Sequence, residues 1–181
     1  DRLWQAATAE GPVYALVNNA GVYSAHSFLD TSDADFEAVT REMFQVNFFS
    51  PLRLCRLAAR AFQDQGGGSI LNVASRVGFR GEAGASMYSA SKAALINLTR
   101  ALAVELAGKN IRSFGIAPGW VETSMAREGM ENRLPQILKD IPLGRMASPQ
   151  DCAEAAAFLL SDGAAYLSGV TIDINGASYF H

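Results

Sequence analysis

The sequence predicts an α/β protein built on a parallel sheet with helices on both faces. Two observations carry this expectation. Short, largely apolar runs of strand length, at 13–17, 70–74, 111–117 and 170–174, alternate with longer stretches whose apolar residues recur at helical spacing. Hydrophobic residues make up 49% of the 181 positions and charged residues only 18%, where soluble domains usually carry about a quarter charged. That balance excludes a disordered chain and suits a sheet buried on both faces.

Each element follows from local chemistry. Residues 1–10 are good helix formers, stopped by Gly11-Pro12. The run 13–17 is too short for a helix and ends at Asn18-Asn19-Ala20-Gly21, so it reads as a buried strand. Thr31-Ser32-Asp33 offers caps for a long helix over 32–65. Within it Pro51, which has no amide hydrogen to donate, predicts a kink or a break. Gly66-Gly67-Gly68 forms a loop before the strand at 70–74. A helix over 87–107 carries Leu95, Leu98, Leu102 and Leu106 on one face and closes at Gly108. The strand at 111–117 ends at Pro118-Gly119. The stretch 122–148 is polar and methionine-bearing, with 134–140 its one expected helix. Ser148 caps a helix over 149–160 with Pro149 at its first position, and 170–174 is the last strand. No repeat or linker interrupts the chain, which predicts one domain over 1–181.

Charge and cysteine usage narrow the function. Fifteen Lys and Arg against eighteen Asp and Glu give −3, which offers no general attraction to nucleic acid or anionic lipid. Cys55 and Cys152 lack metal-ligand spacing and suit a reducing compartment, so no metal is expected. No apolar run approaches the ~18–20 residues of a membrane span, and the first residues lack a secretory pattern. A cytoplasmic location is expected.

In open parallel sheets, ligands bind outside the carboxyl ends of the strands. Asn18–Gly21, Ser75 and Pro118–Thr123 each follow a strand. Tyr88 and Lys92 lie four apart, on one helix face. A tyrosine hydroxyl, with a pKa near 10, is a poor base alone, and a neighbouring ammonium favours its ionised form. With Ser75 as a second hydroxyl, the set suits proton transfer to or from an alcohol or carbonyl oxygen. Other candidates are weaker. Ser89-x-x-Lys92 has the spacing of a serine nucleophile but lacks the motifs that accompany it. Gly66–Gly68 precedes a strand, where a phosphate-binding turn must follow one. His26 reads as a solvated loop histidine.

Together the motifs Asn18-Asn19-Ala20-Gly21, Asn47, Asn72-Val73-Ala74-Ser75, Tyr88-x-x-x-Lys92, Pro118-Gly119-Trp120-Val121-Glu122-Thr123, Ser168-Gly169 and Asp173-Ile174-Asn175-Gly176 carry a resemblance to the short-chain dehydrogenase/reductase family. The resemblance implies a Rossmann-like, doubly wound, three-layered fold and an oxidoreductase using NAD or NADP. It implies Tyr88 as general acid/base and Ser75 as the residue orienting the substrate carbonyl. Lys92 would lower the tyrosine pKa and hold the nicotinamide ribose, and Asn47 would hold a relay water. Asn18, Ala20, Gly21, Pro118, Gly119, Val121 and Thr123 would shape the cofactor site. Phe79, Met87, Trp120 and the 124–144 segment are expected on the substrate side, an apolar lining suited to a 3-oxoacyl or other hydrophobic ketone. A homodimer or homotetramer through the long helices is expected, with a small carbonyl or alcohol compound as the remaining partner.

The sequence departs from the family in one respect. A member is expected to begin with a strand, a glycine-rich turn and a helix that bind the pyrophosphate. None precedes residue 13, so the expectation is of a chain matching the C-terminal two-thirds of the family. The alternative expectation is a non-catalytic fragment of that fold, and a serine hydrolase through Ser89 is a distant third.

Overall fold

The computed structural model describes residues 2–124 and 133–181. Four strands, β1 (Ala15–Asn18), β2 (Gly68–Val73), β3 (Ile111–Pro118) and β4 (Thr171–Ile174), form an all-parallel sheet in that order. The registers pair Asn18 with Asn72, Val73 with Ile116 and Pro118 with Ile174. All the carboxyl ends therefore open on one edge.

The first helix is α1 (Arg2–Thr8). The long helix expected next is present in three joined pieces: α2 (Asp33–Phe44), a π-helical turn (Gln45–Phe49) and α3 (Ser50–Asp64). Ser32 caps α2, its side chain accepting from the Asp35 N–H. Pro51 falls in the first turn of α3, where a missing amide hydrogen costs least. The residues at both junctions keep right-handed helical angles, so the proline is absorbed beside the wider turn without a break. A helix α4 (Ser86–Leu106) joins β2 to β3. Beyond β3 come α5 (Leu134–Lys139) and α6 (Pro149–Leu160). The Ser148 side chain accepts from the Asp151 N–H, and Asp151 accepts from the Ser148 N–H in return, a reciprocal cap.

Neighbouring strand residues face opposite sides of a sheet, and β2 shows which helices cover each. Ile70 packs with Cys55, Ala58 and Phe62 of α3, beside Leu102 and Leu106 of α4. Leu71 packs with Phe114 and Ile116 of β3 and with Leu159 of α6. Helices α3 and α4 therefore cover one face and α6 the other, giving three layers. Strand order advances in one direction throughout, so the β3-to-β4 crossover has the opposite hand to the first two, against the usual preference. The long β3–α6 connection makes this possible. Val121 forms a parallel bridge with Ala147, and the Ala147 N–H donates to the Trp120 carbonyl at 2.9 Å. Among the described residues, no helix is long and apolar enough to cross a membrane.

Candidate active site

The ends of β1, β2 and β3 meet residues of α4 and α6 around a cavity of about 640 Å³, within the roughly 300–1,000 Å³ usual for small-molecule sites. Ala20, Gly21, Ser75, Tyr88, Lys92, Pro118, Gly119, Trp120, Val121 and Thr123 all line it.

Ser75 follows β2 in extended backbone, its Oγ accepting from the Val77 N–H at 3.4 Å, and opens a tight turn at Arg76–Gly78. That turn presses on α4. A Cβ on Gly78 would lie 2.9 Å from the Lys92 carbonyl carbon and 2.7 Å from Ile96 Cδ1. Gly78 thus sets how closely Ser75 approaches the helix that carries Tyr88 and Lys92. Nothing in the sequence marks it, because the close approach is tertiary.

Lys92 is 3% exposed, and its Nζ donates to the Val73 carbonyl at 2.9 Å. Burial disfavours the charged form and lowers its pKa to about 8. An ammonium has three N–H donors, so two remain for a ligand hydroxyl. Gly21 keeps the space beside it open: a Cβ there would lie 3.4 Å from both Lys92 Nζ and Asn47 Oδ1. The Tyr88 hydroxyl moves upward. Burial raises its pKa most, its hydrogen bond with Ser75 pulls it back, and Tyr23 and Glu82 add to the rise. Lys92 is not among the groups that move it. The ammonium is 5.7 Å from the Tyr88 ring centroid and committed to Val73, and burial wins.

Four predicted residues do not line the cavity. Asn18 Nδ2 donates to Asn72 Oδ1 at 2.8 Å, and Asn72 Nδ2 donates to Thr99 Oγ1 at 2.9 Å, a buried ladder tying β1 through β2 to α4. Asn47 lies in the π-helical turn, accepting from the Val22 N–H and donating to the Val22 carbonyl, both at 2.9 Å, so it fixes the chain just after Gly21. Phe79 stacks on His181 with ring centroids 3.7 Å apart, and Met87 is likewise not part of the lining. Ser89, the alternative nucleophile, does not reach it either. His26 is engaged with Ser86 Oγ at 3.0 Å and with the Ser24 carbonyl.

The lining is also more polar than expected. Tyr23, Arg76, Glu82, Arg133 and Cys152 contribute to it, none of them marked by a motif. Tyr23 meets Tyr88 edge to face, centroids 5.2 Å apart. Arg76 pairs with Glu82 at 3.6 Å. Of the 124–144 segment, Ser124, Arg133 and Ile137 line the cavity, whereas 125–132 lie outside the described residues.

The family model described as enoyl-(acyl carrier protein) reductase matches residues 2–177. The 3-oxoacyl-(acyl-carrier-protein) reductase of Escherichia coli (strain K12) is 36% identical over 169 residues, spanning 93% of this chain and 68% of that relative. Among solved structures, a proposed short-chain alcohol dehydrogenase from Sinorhizobium meliloti has a TM-score of 0.90 at 33% identity, over 98% of this chain and 70% of that one. A proposed NAD(P)-dependent gluconate 5-dehydrogenase from Beutenbergia cavernae, holding NADP at low occupancy, has a TM-score of 0.88 at 34% identity. It is covered over 69% of its length and covers 97% of this chain.

Proposed function

Because the chain belongs to the short-chain dehydrogenase/reductase family of oxidoreductases, we propose that it is an NAD(P)-dependent enzyme interconverting a ketone and a secondary alcohol, with Tyr88 as general acid/base. The observation that carries this reading is the convergence of Ser75, Tyr88 and Lys92 on one cavity at the carboxyl edge of the sheet. The Escherichia coli relative supports 3-oxoacyl compounds as the leading substrate class. The NADP-bound structure supports NAD or NADP as cofactor.

The residues present fit the nicotinamide-ribose end of such a cofactor. Lys92 has free donors for ribose hydroxyls, the Gly21 turn leaves room for them, and Ala20, Pro118, Gly119, Val121 and Thr123 line the same space. When bound, the nicotinamide supplies or accepts the hydride. Ser75 hydrogen-bonds the substrate oxygen and orients it. Tyr88, a phenol protonated at neutral pH like any tyrosine, gives its proton to that oxygen in reduction and takes it back in oxidation. Asn18 and Asn47 act as positioning residues, bracing the β1 end and the Gly21 turn. Trp120 and Tyr23 bound the substrate side. We read residues 1–181 as one Rossmann-like domain that assembles as a homodimer or homotetramer. The apolar residues Phe49, Leu52 and Val104, exposed on the long helices, support that assembly.

With NADH or NADPH and a short 3-oxoacyl thioester, the chain is expected to oxidise the cofactor. Tyr88→Phe should cut turnover by about 10²–10⁴-fold, while cofactor affinity, followed by fluorescence titration, changes little. Undiminished turnover in the variant would remove Tyr88 from the mechanism.

A further inference from the structure

We propose that the substrate end of the cavity recognises an anionic oxygen group, a carboxylate or phosphate, carried by the ketone, and that Arg133 binds it beside the indole of Trp120. This rests on the oxidoreductase reading above and names the substrate class of the same site.

Four charged side chains line the cavity: Arg76, Glu82, Lys92 and Arg133. Arg76 and Glu82 are paired with each other, and the remaining donors of Lys92 are those assigned above to the cofactor ribose. Lys92 is buried against the Val73 carbonyl. Arg76, 6% exposed, pairs with Glu82 and donates through Nη1 to Ser178 Oγ at 2.9 Å. Arg80 and Asp140 also act on Arg76, with opposite signs.

Arg133 differs. It is exposed, and among the described residues it has no carboxylate partner. Its guanidinium carbon lies 5.9 Å from the Trp120 ring centroid, with that of Arg76 at 6.0 Å. The indole is held in turn by Ile137, Ile141 and Met146, so the guanidinium stacks on a packed wall. Arg133 also acts electrostatically on Tyr23, whose pKa burial and then Glu82 raise and Arg133 lowers; Glu82 is itself neutralised by its pairing with Arg76. The Tyr23 hydroxyl has no hydrogen-bond partner among the described residues and offers a second donor. A planar guanidinium suits the oxygens of a carboxylate or phosphate, and the phenol lines the same cavity. In a chain of net charge −3, this attraction is local to the mouth rather than a property of the surface.

The test uses matched ketones of equal length ending in a carboxylate, a phosphate monoester or a neutral amide, with saturating cofactor. KM for at least one acid is expected about tenfold or more below that for the amide at low salt. The gap should narrow as ionic strength rises. Arg133→Met should bring the acid-to-amide KM ratio close to one, and comparison of the two acids tells carboxylate from phosphate. Binding is read separately through Trp120 emission in a Trp4→Phe background, where the preferred acid should give a saturable change that Arg133→Met abolishes. Equal KM for acids and amide, or a ratio unchanged in Arg133→Met, overturns the proposal. If no ketone is turned over, the oxidoreductase reading fails by itself. The Trp120 titration then still decides the anion site, and no saturable response to either acid overturns it.

Discussion

A lysine ammonium at 3% exposure, with one carbonyl as its acceptor, is destabilised relative to the same group in the unfolded chain. Its pKa falls from 10.5 to about 8 on folding. The unfolded state therefore holds more protons between about pH 8 and 10.5, so the contribution of Lys92 makes stability rise with pH through that window. Below about pH 8 the penalty is constant, on the order of 3 kcal/mol. Urea unfolding should accordingly show the native chain gaining on the order of 2 kcal/mol relative to Lys92→Met between pH 7 and pH 10. A difference that stays flat would mean that the ammonium is better solvated than its burial implies. Much of this site was legible at the residue scale because chemistry selects residue types: Ser75 and the 118–123 turn follow strand ends, and Tyr88 and Lys92 lie one helical turn apart on α4. Direction was less legible. Met87 is adjacent to Tyr88, but successive helical residues are rotated by about 100°, which turns it off the catalytic face. Asn18 sits at a strand end like a cofactor ligand, yet its amide is used on its cross-strand neighbour Asn72.

Element by element, the sequence signals that served best were local ones. Ser148 and Pro149 mark the start of α6 because caps and first-turn prolines act within three residues, and the structure adds a reciprocal hydrogen bond from the Ser148 N–H to Asp151. Pro51 signals a discontinuity, but whether a helix breaks there depends on how the preceding turn is spaced. The π-helical turn at Gln45–Phe49 accommodates it and places Asn47 against Val22. The packing of the Arg76–Gly78 turn on α4 was not legible, because a single hydrogen at Gly78 permits it. Backbone atoms of Lys92 and Ala93 stand 2.9 and 3.1 Å from the place of a Cβ, and backbone cannot step aside as a flexible side chain can. Gly78→Ala should therefore destabilise the fold by roughly 1–3 kcal/mol. Turnover should fall further than that loss of folded protein explains, since Ser75 and Tyr88 are pushed apart. Thermal unfolding and turnover per folded molecule, measured together, check this. An alanine variant of native stability and native turnover would show that the turn can slide along the helix.

For the whole molecule, parallel strand order gathers the ends of β1, β2 and β3 on one edge, and the three-layered arrangement covers most of the sheet but not all of it. On β1, Leu16 packs into the cluster under α3, whereas Val17 points to the opposite face and is 45% exposed. Its register partner Leu71 is fully buried, so the layer formed by α6 ends at β2. Among the described residues β1 also has a ladder partner on one side only, leaving its outer backbone groups unpaired beside Val17 and the exposed ring of Tyr14. An unpaired strand edge next to uncovered apolar side chains is a template for further strand pairing, and lysine at such an edge opposes it. A polypeptide of these 181 residues alone is thus expected to self-associate as concentration rises. Val17→Lys should suppress that association, because the added ammonium would have to be desolvated in any edge-to-edge contact. At a half-exposed position the substitution should shift stability by no more than about 0.5 kcal/mol. Light scattering across a concentration series, with thermal unfolding as the control, distinguishes the cases: equal scattering by the two chains at equal stability would place the association on another surface, such as the long helices.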